Sequence, residues 1–316
     1  MNVLHHTPET ALLLAKIADT IREYQDPVDR YLQQSGEYEV LNPLQNAGET
    51  GTQHVEAYFP STFWDRLGIR HVITNIHHSK TASQGQWTTT TETVSFRRGH
   101  MRNEGCVDVL TKYFSNCSII QFADYVSVKE AAGFWDGLFA DVIKNAIEKR
   151  TIEYIFQLGD ITGRTVFEVD EVLDIIGQYN KHGRVTLVMD EQEALKLWDL
   201  LCGIHYPAST KEKFQLQFNT MRIDTLLVFY NNGVLQFSKK EQFEFAGRTQ
   251  NINTYPHGRE FFLAGYRLGL LLHLTIPHAI TLGLAVSGTY QANAAVPTSR
   301  TLLTYINDWV STISII

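Results

Sequence analysis

The chain has few cysteines, no long apolar run and no signal-like start. Its three cysteines, Cys106, Cys117 and Cys202, are odd in number and too few for a disulfide framework, which favours a reducing compartment. The longest apolar run, over residues 265–275, contains an arginine and a histidine and is too short to span a bilayer. The first residues lack the basic and apolar regions of a secretory signal. We therefore expect a cytoplasmic protein that does not cross a membrane.

An excess of positive charge is also missing. The 316 residues include 27 Lys and Arg against 34 Asp and Glu, which gives a net charge of -7 at pH 7. This balance provides no general attraction to nucleic acid or to an anionic membrane, so we expect neither as a partner. Hydrophobic residues make up 44% of the chain and charged residues 19%, as is usual for a globular protein with a sizeable core.

A metal site is not expected. The histidines His71, His77 and His78 lie close together, but their spacing matches no zinc signature. No cysteine or carboxylate stands beside them at ligand spacing. We interpret residues 77–80 as a polar loop, and the alternation over 70–76, which includes His71, suggests a strand.

Sequence patterns predict both helices and strands. Thr7-Pro8-Glu9 is a helix start, because Thr can cap the helix and Pro suits its first position. Apolar periodicity and stop signals predict further helices over residues 128–150, 170–179, 193–202 and 299–310, and a buried strand over 152–158. Residues 35–53 are rich in Gly, Pro, Asn and Gln, so we predict a helical segment and linker over 1–53 and a main domain over 54–316.

The most informative stretch runs over residues 224–290. Apolar runs on both sides of Asn232-Gly233 predict a hairpin, because these two residues tolerate the positive φ that a type I′ turn requires. A polar loop over 247–255 follows, rich in groups that can hydrogen-bond a ligand. An apolar helix over 261–274 and a third strand that leads to Tyr290 complete the stretch.

This stretch resembles the second half of the thymidylate synthase family, which includes the pyrimidine hydroxymethylases. The resemblance rests on Phe229-Tyr230, Gly233-Val234-Leu235, Gly247, Asn251-Ile252, Tyr255 and Tyr290, in that order. It implies an α+β fold, with a thymidylate-synthase-like mixed sheet packed by helices. It also implies a homodimer, and an insertion near 191–214, where family members have a shorter connection.

Four residues match ligand-binding positions of that family: Arg184, Lys240, Asn251 and Tyr290. The resemblance implies that Arg184 and Lys240 contact a nucleotide phosphate, Arg184 across the dimer interface. It implies that Asn251 reads the pyrimidine edge and that Tyr290 contacts the sugar hydroxyl. Three of them also have a structural interpretation: a solvated strand-edge Arg184, a loop Asn251 bonded to its own backbone and a Tyr290 on a core strand.

The residues for the family's chemistry are missing. Its nucleophilic cysteine and the neighbouring histidine would fall within Arg222-Ile223-Asp224. Phe243 stands where the family has the Asp that holds the pyrimidine, and Gly288 stands for the sugar-binding His. The loop over 159–164 lacks the aromatic residues that follow it in the family and help hold folate, which makes folate binding doubtful. We expect no cofactor. No catalytic residue can be named, and standard methylation of dUMP is not expected.

Three functions remain open from the sequence. The first is a divergent protein of this superfamily that binds a pyrimidine nucleotide, with or without a transferase activity. The second is a non-catalytic, homo-oligomeric interaction or assembly module built on the same fold. The third is an unrelated α+β protein whose resemblance is due to chance, in which case the hairpin at Asn232-Gly233 would lie on a sheet edge.

Overall fold

A computed structural model describes most of the chain. The described residues are 2–4, 7–40, 69–73, 107–108, 111, 114, 118–122, 125–126, 131–146, 152–203, 207–230, 233–248 and 257–313. His77 and His78 of the predicted polar loop, Asn251 and most of the loop over 247–255 lie outside them, whereas His71 lies on the strand Ile69–Ile73.

Eight strands form one mixed sheet. They are β1 (Asn2–Leu4), β2 (Ile69–Ile73), β3 (Ile119–Phe122), β4 (Ile152–Gln157), β5 (Gly183–Asp190), β6 (Thr225–Tyr230), β7 (Gly233–Ser238) and β8 (Gln242–Ala246). Their order across the sheet is β1-β8-β7-β6-β5-β4-β3-β2. The run from β3 to β6 is parallel, β6-β7-β8 is antiparallel, β1 joins β8 in parallel and β2 joins β3 antiparallel.

Helices cover both faces of the sheet. They are α1 (Pro8–Glu23), α2 (Gln25–Val40), α3 (Ala131–Leu138), which continues into a π-helical turn (Phe139–Ile143) and α4 (Lys144–Ala146), α5 (Val166–Tyr179), α6 (Glu191–Cys202), α7 (Thr210–Thr220), α8 (Gly258–Leu271), α9 (Ile276–Asn293) and α10 (Ser299–Ile313). The core on one face includes residues of α3, α5, α6 and α7, and the core on the other includes residues of α1, α2, α8, α9 and α10.

Local sequence sets several helix starts. Thr7 accepts a hydrogen bond from the backbone N–H of Thr10, and Pro8 begins α1, as the sequence predicted. α5, α6 and α7 each begin with a capping box, in which the cap side chain and a glutamate three residues later bond each other's backbone N–H. These starts depend on contacts within one turn, so a sequence pattern can reveal them.

One face of the parallel strands packs against aromatic side chains. Phe122 on β3 stacks on Phe156 on β4, with 4.5 Å between the ring centroids. Trp135 meets both rings edge-on, and the buried hydroxyl of Tyr179 donates a 2.7 Å hydrogen bond to the carbonyl of Trp135. This face is therefore filled by ring packing, and the hydroxyl of Tyr179 is satisfied by backbone.

The opposite face carries buried polar side chains beneath α8. Arg267 is fully buried and donates to Gln121 on β3 and to the hydroxyl of Tyr31 on α2. Gln121 in turn donates a 2.9 Å hydrogen bond to Gln157 on β4. α8 packs closely against α9. A Cβ on Gly265 of α8 would lie only 2.8 Å from the Cα of Gly283 on α9.

The predicted hairpin exists, but its turn is shifted. β6 and β7 pair antiparallel up to Tyr230 and Gly233, so the two connecting residues are 231–232 and Gly233 belongs to β7. Gly233 is needed for another reason, since a Cβ there would lie 1.8 Å from the carbonyl oxygen of Phe245 on β8. The hairpin lies inside the sheet, because β8 and β1 follow β7.

One expectation from the sequence is wrong. The segment that leads to Tyr290 is the helix α9 and not a third strand. Its residues from Ala279 to Tyr290 are all buried, so no polar face marks the helical period. Residues 191–214 contain α6 and the first part of α7, and these two helices form the crossover that joins the parallel strands β5 and β6.

The coarser fold expectation is confirmed, since the chain combines helices with a mixed sheet that they pack against. Among the described residues, no helix is both long and apolar enough to cross a membrane.

Candidate functional site

The carboxyl ends of the parallel strands form the candidate site. β5 ends at Asp190, which pairs with Phe229 near the end of β6, and β4 ends beside them at Gln157. In open sheets of parallel strands, ligands bind in the crevice at this edge. α5 follows β4 in the chain and α6 follows β5, so both helices begin at this edge. The contact between Asp190 and Arg259, in the first turn of α8, shows that α8 begins at this edge too. We call this region the carboxyl edge.

Arg259 joins α8 to the first turn of α6. Its two terminal nitrogens, Nη1 and Nη2, donate to the two carboxylate oxygens of Glu193 at 3.1 and 3.2 Å. Nη1 also donates to Oδ2 of Asp190 at 3.1 Å, and the guanidinium lies 5.3 Å from the ring centre of Phe229. Asp190 and Glu193 also accept backbone N–H groups in the capping box of α6, at 2.7 and 2.8 Å. The two carboxylates are therefore held from both sides.

This cluster leaves part of Arg259 unused. A guanidinium has five N–H donors in a fixed plane, and the contacts to Asp190 and Glu193 use three of them. The remaining two are Nε–H and one N–H of Nη2, which lie in the guanidinium plane and point outward from the same edge of it. Nε is buried and has no hydrogen-bond partner among the described residues. Such a pair of parallel donors matches two oxygens of a carboxylate or a phosphate.

The first turn of α8 is the other source of donors. Its N-cap, His257, has a left-handed backbone with φ of 59° and makes no side-chain cap. The first N–H groups of a helix have no acceptor within the helix, and the helix dipole makes this end positive. α5 and α6, in contrast, are closed by capping boxes. The Ser287 hydroxyl on α9 donates a 2.9 Å hydrogen bond to the carbonyl of Gly258 and so fixes the first turn.

A second ion pair lies at the end of β4. Lys196 on α6 contacts both oxygens of Asp160 at 2.9 Å, and Thr162 donates to the same carboxylate from its hydroxyl and its backbone N–H. These hydrogen bonds, that of the Thr162 hydroxyl above all, lower the pKa of Asp160. Asp160 is thus ionised at neutral pH. Gly159 and Gly163 beside it have φ values of 75° and 88°, which side chains other than glycine rarely adopt.

The carboxyl edge offers hydrogen-bond donors to a ligand, but it has few side chains that could accept or release a proton. Each carboxylate described above already accepts hydrogen bonds from a cation and from backbone N–H. Among the described residues, no group of three or more His, Cys, Asp or Glu could hold a metal ion. The donors of Arg259 and of the α8 first turn therefore stand out as the groups that could recognise a ligand.

The residues predicted from the family lie elsewhere. Arg184 is the second residue of β5, at the amino end of the sheet, and pairs with Glu153 on β4. Lys240 is exposed in the turn between β7 and β8, whose residues also line an open cavity of about 370 Å³ against α7. Tyr290 is buried on α9 and stacks on Phe261, with 3.9 Å between the ring centroids. Asn251 lies outside the described residues.

These positions do not form one pocket. Arg184 and Lys240 lie towards the amino ends of the strands, whereas Phe261 places Tyr290 next to the first turn of α8, at the carboxyl edge. Sequence reasoning missed the Arg259 cluster. Asp190 and Glu193 had a readable signal, the capping-box spacing after an apolar strand. Arg259 had none, because its partners lie 66 and 69 residues away in the chain.

Comparisons with known proteins give only solved structures of low similarity. No family model matches the sequence, and no curated protein matches it. Similar solved structures include ribokinase from Thermotoga maritima (TM-score 0.43, 14% identity, covering 62% of this chain and 59% of that one). They also include adenosine kinase from Sinorhizobium meliloti (0.43, 14%, 64% and 56%) and aminoimidazole riboside kinase from Salmonella enterica (0.42, 15%, 59% and 61%).

The match covers less than two thirds of each of these three proteins. At such scores and identities, the likeness supports no inference about what this chain binds or does. The resemblance to the thymidylate synthase family is nevertheless wrong. The parallel run from β3 to β6 and the helix α9 replace the arrangement that the resemblance implied. The pyrimidine-nucleotide function and the assembly module on that fold fall with it.

Proposed function

We propose that the carboxyl edge binds a small phosphorylated molecule, such as a sugar phosphate or a nucleotide. The observation that carries this proposal is the unused donor pair of Arg259 beside the uncapped first turn of α8. Phosphate groups suit both parts, because helix N-termini offer backbone N–H groups and a positive dipole, and Arg offers parallel donors.

Charge supports a small ligand and not a polyanion. The pairing of Arg259 with Asp190 and Glu193 leaves the cluster without excess positive charge. The ligand must therefore be recognised by hydrogen-bond geometry more than by net attraction. A single phosphate ester, held by two or three donors at one point, fits this arrangement better than a nucleic acid, which depends on many positive contacts.

The two carboxylates have a role in this proposal. Glu193 accepts hydrogen bonds from both terminal nitrogens of Arg259. These bonds fix the orientation of the guanidinium and therefore the direction of its remaining donors. Preorganised donors lose less conformational entropy on binding, so the ion pairs favour affinity although they neutralise charge. The proposal concerns binding and names no reaction.

Isothermal titration calorimetry tests the proposal. Wild type is titrated with ribose 5-phosphate, with ATP and with ribose, the last as the control that lacks a phosphate. We expect heat of binding for at least one phosphorylated compound and none for ribose. In Arg259→Gln we expect affinity to fall at least tenfold, because the donor pair is removed.

Arg184→Gln is the matched control. It also removes an arginine that pairs with a carboxylate, but at the opposite end of the sheet. We expect it to retain wild-type affinity. Absence of binding by either phosphorylated compound at millimolar concentration would contradict the proposal, as would equal affinity in Arg259→Gln and wild type.

A further inference from the structure

The amino end of the sheet holds a buried carboxylate that is only half satisfied. Glu153 on β4 is 6% exposed, and its Oε1 accepts hydrogen bonds from Arg184 on the neighbouring strand β5. Its other oxygen, Oε2, is buried and has no hydrogen-bond partner in the part of the chain that the structure describes. An ionised carboxylate buried in this way loses much of its hydration without full compensation.

The partner, in contrast, can reach solvent. The side chain of Arg184 is 49% exposed, so its guanidinium can be hydrated without Glu153. Only one side of the pair therefore depends on the contact. If Glu153 becomes neutral, the attraction that holds Arg184 disappears and water can replace it.

The surroundings of Glu153 act on its ionisation in both directions. Arg184 on β5 is the cation that favours ionisation, whereas Asp224, just before β6, carries a like charge that opposes it. Tyr266 on α8 faces the same region, and its hydroxyl lies 3.3 Å from that of Thr186 on β5. Burial outweighs the attraction of Arg184 and raises the pKa of Glu153 to about 7.

We propose that Glu153 and Arg184 form a proton-operated latch between β4 and β5. The latch is closed when Glu153 is ionised and paired with Arg184. It opens when Glu153 takes up a proton from solvent, and Arg184 then turns into water. No other covalent or redox change is involved, and the latch does not depend on the ligand proposed above.

The sign of the pH dependence follows from the raised pKa. Between the unfolded value of 4.5 and the folded value of about 7, the native protein binds more protons at Glu153 than the unfolded chain does. The contribution of Glu153 to stability is therefore fully present below pH 4.5, and it is lost as the pH rises to 7. Well above pH 7 both states are ionised and the loss is complete.

Urea unfolding from pH 4.5 to 8.5 tests the latch. Glu153→Gln mimics the protonated side chain and does not titrate. We expect its folding equilibrium constant, divided by that of wild type, to rise on the order of 100-fold over this range. Glu244→Gln is the control, because Glu244 is also a strand glutamate, paired with Lys211 but more exposed. Its ratio to wild type should show no such rise.

A second variant separates a latch from a purely structural role. Arg184→Gln removes the cation that favours ionisation, so it should move the upper end of the titration above pH 7 by at least half a unit. This holds even if Glu153→Gln fails to fold. A constant ratio for Glu153→Gln across the pH range would overturn the proposal, as would an unchanged titration in Arg184→Gln.

Discussion

Each end of the sheet contains an arginine that pairs with carboxylate side chains, but the two clusters differ in the group that is left over: a hydrogen-bond donor at one end and an acceptor at the other. At the carboxyl edge, Asp190 and Glu193 accept hydrogen bonds from the capping box and from Arg259, and a donor of Arg259 lacks a partner among the residues that the structure describes. At the amino end, within the same described residues, an acceptor of Glu153 lacks a partner. A spare donor can recruit an anion, whereas a spare buried acceptor favours a proton.

This difference arises from burial and from the backbone nearby. Asp190 and Glu193 sit at the start of α6, where free N–H groups stabilise carboxylates. Glu153 lies within β4, whose backbone N–H groups are committed to the neighbouring strands. The same type of ion pair is therefore well supported at one end and poorly supported at the other.

The largest expected effect comes from Glu153→Gln at pH 8.5. Because the ionised carboxylate is costly there, the substitution should stabilise the protein by about 3 kcal/mol relative to its effect at pH 4.5. Urea unfolding at the two pH values measures this change. A loss of stability at pH 8.5 would mean that the pair with Arg184 outweighs the cost of burial, and the contrast between the ends would disappear.

Glu193→Ala should have the opposite sign. Its side chain is 13% exposed and supports both the capping box of α6 and two bonds from Arg259. We expect a loss of about 2 kcal/mol at pH 7, the sum of a lost cap and an ion pair left without its partner. Chemical denaturation gives the value, and no loss would show that the carboxyl edge is not held by this cluster.

Asp190→Asn should cost less, about 0.5 to 1 kcal/mol. Asn is as good a helix cap as Asp, so the bond to the backbone of Glu193 is kept and only the charge towards Arg259 is lost. Asp190→Ala removes both and should cost more. Equal losses in the two variants would show that the charge and not the cap is what stabilises the start of α6.

Lys196→Ala should have the smallest effect, at most about 0.5 kcal/mol. The side chains of Lys196 and Asp160 are 44% and 61% exposed, and water and salt screen such pairs. Asp160 also keeps its hydrogen bonds from Thr162. In 0.5 M NaCl, the thermal midpoint of Lys196→Ala should be nearly the same as that of wild type. A large loss would imply that exposed pairs at this edge matter as much as buried ones.

Local signals in the sequence predicted much of the secondary structure. The start of α1 at Thr7 and Pro8, the strand β4 and the pairing of β6 with β7 follow from caps, apolar runs and turn residues within short windows. The helix α9 escaped this reasoning, because a helix buried on all sides shows no amphipathic period. The small and β-branched residues near Tyr290 then resembled a strand.

The candidate site was hardest to predict because it is assembled from distant parts of the chain. Matching Arg184, Lys240 and Tyr290 to one family's motifs placed together residues that the sheet separates. The Arg259 cluster requires α6 and α8 to begin at the same edge, and that follows from the order of the strands and not from any local pattern.

Two glycines allow a direct test of where a phosphorylated ligand binds. Gly258 begins α8 at the carboxyl edge, and Gly183 begins β5 at the amino end. In protein labelled with ¹⁵N-glycine, a titration with ribose 5-phosphate should shift the amide signal of Gly258 and leave that of Gly183 in place. The signal of Gly258 can be assigned from its loss in Gly258→Ala. An unmoved Gly258 signal under saturating ligand, or a shift confined to Gly183, would contradict a binding site at the carboxyl edge.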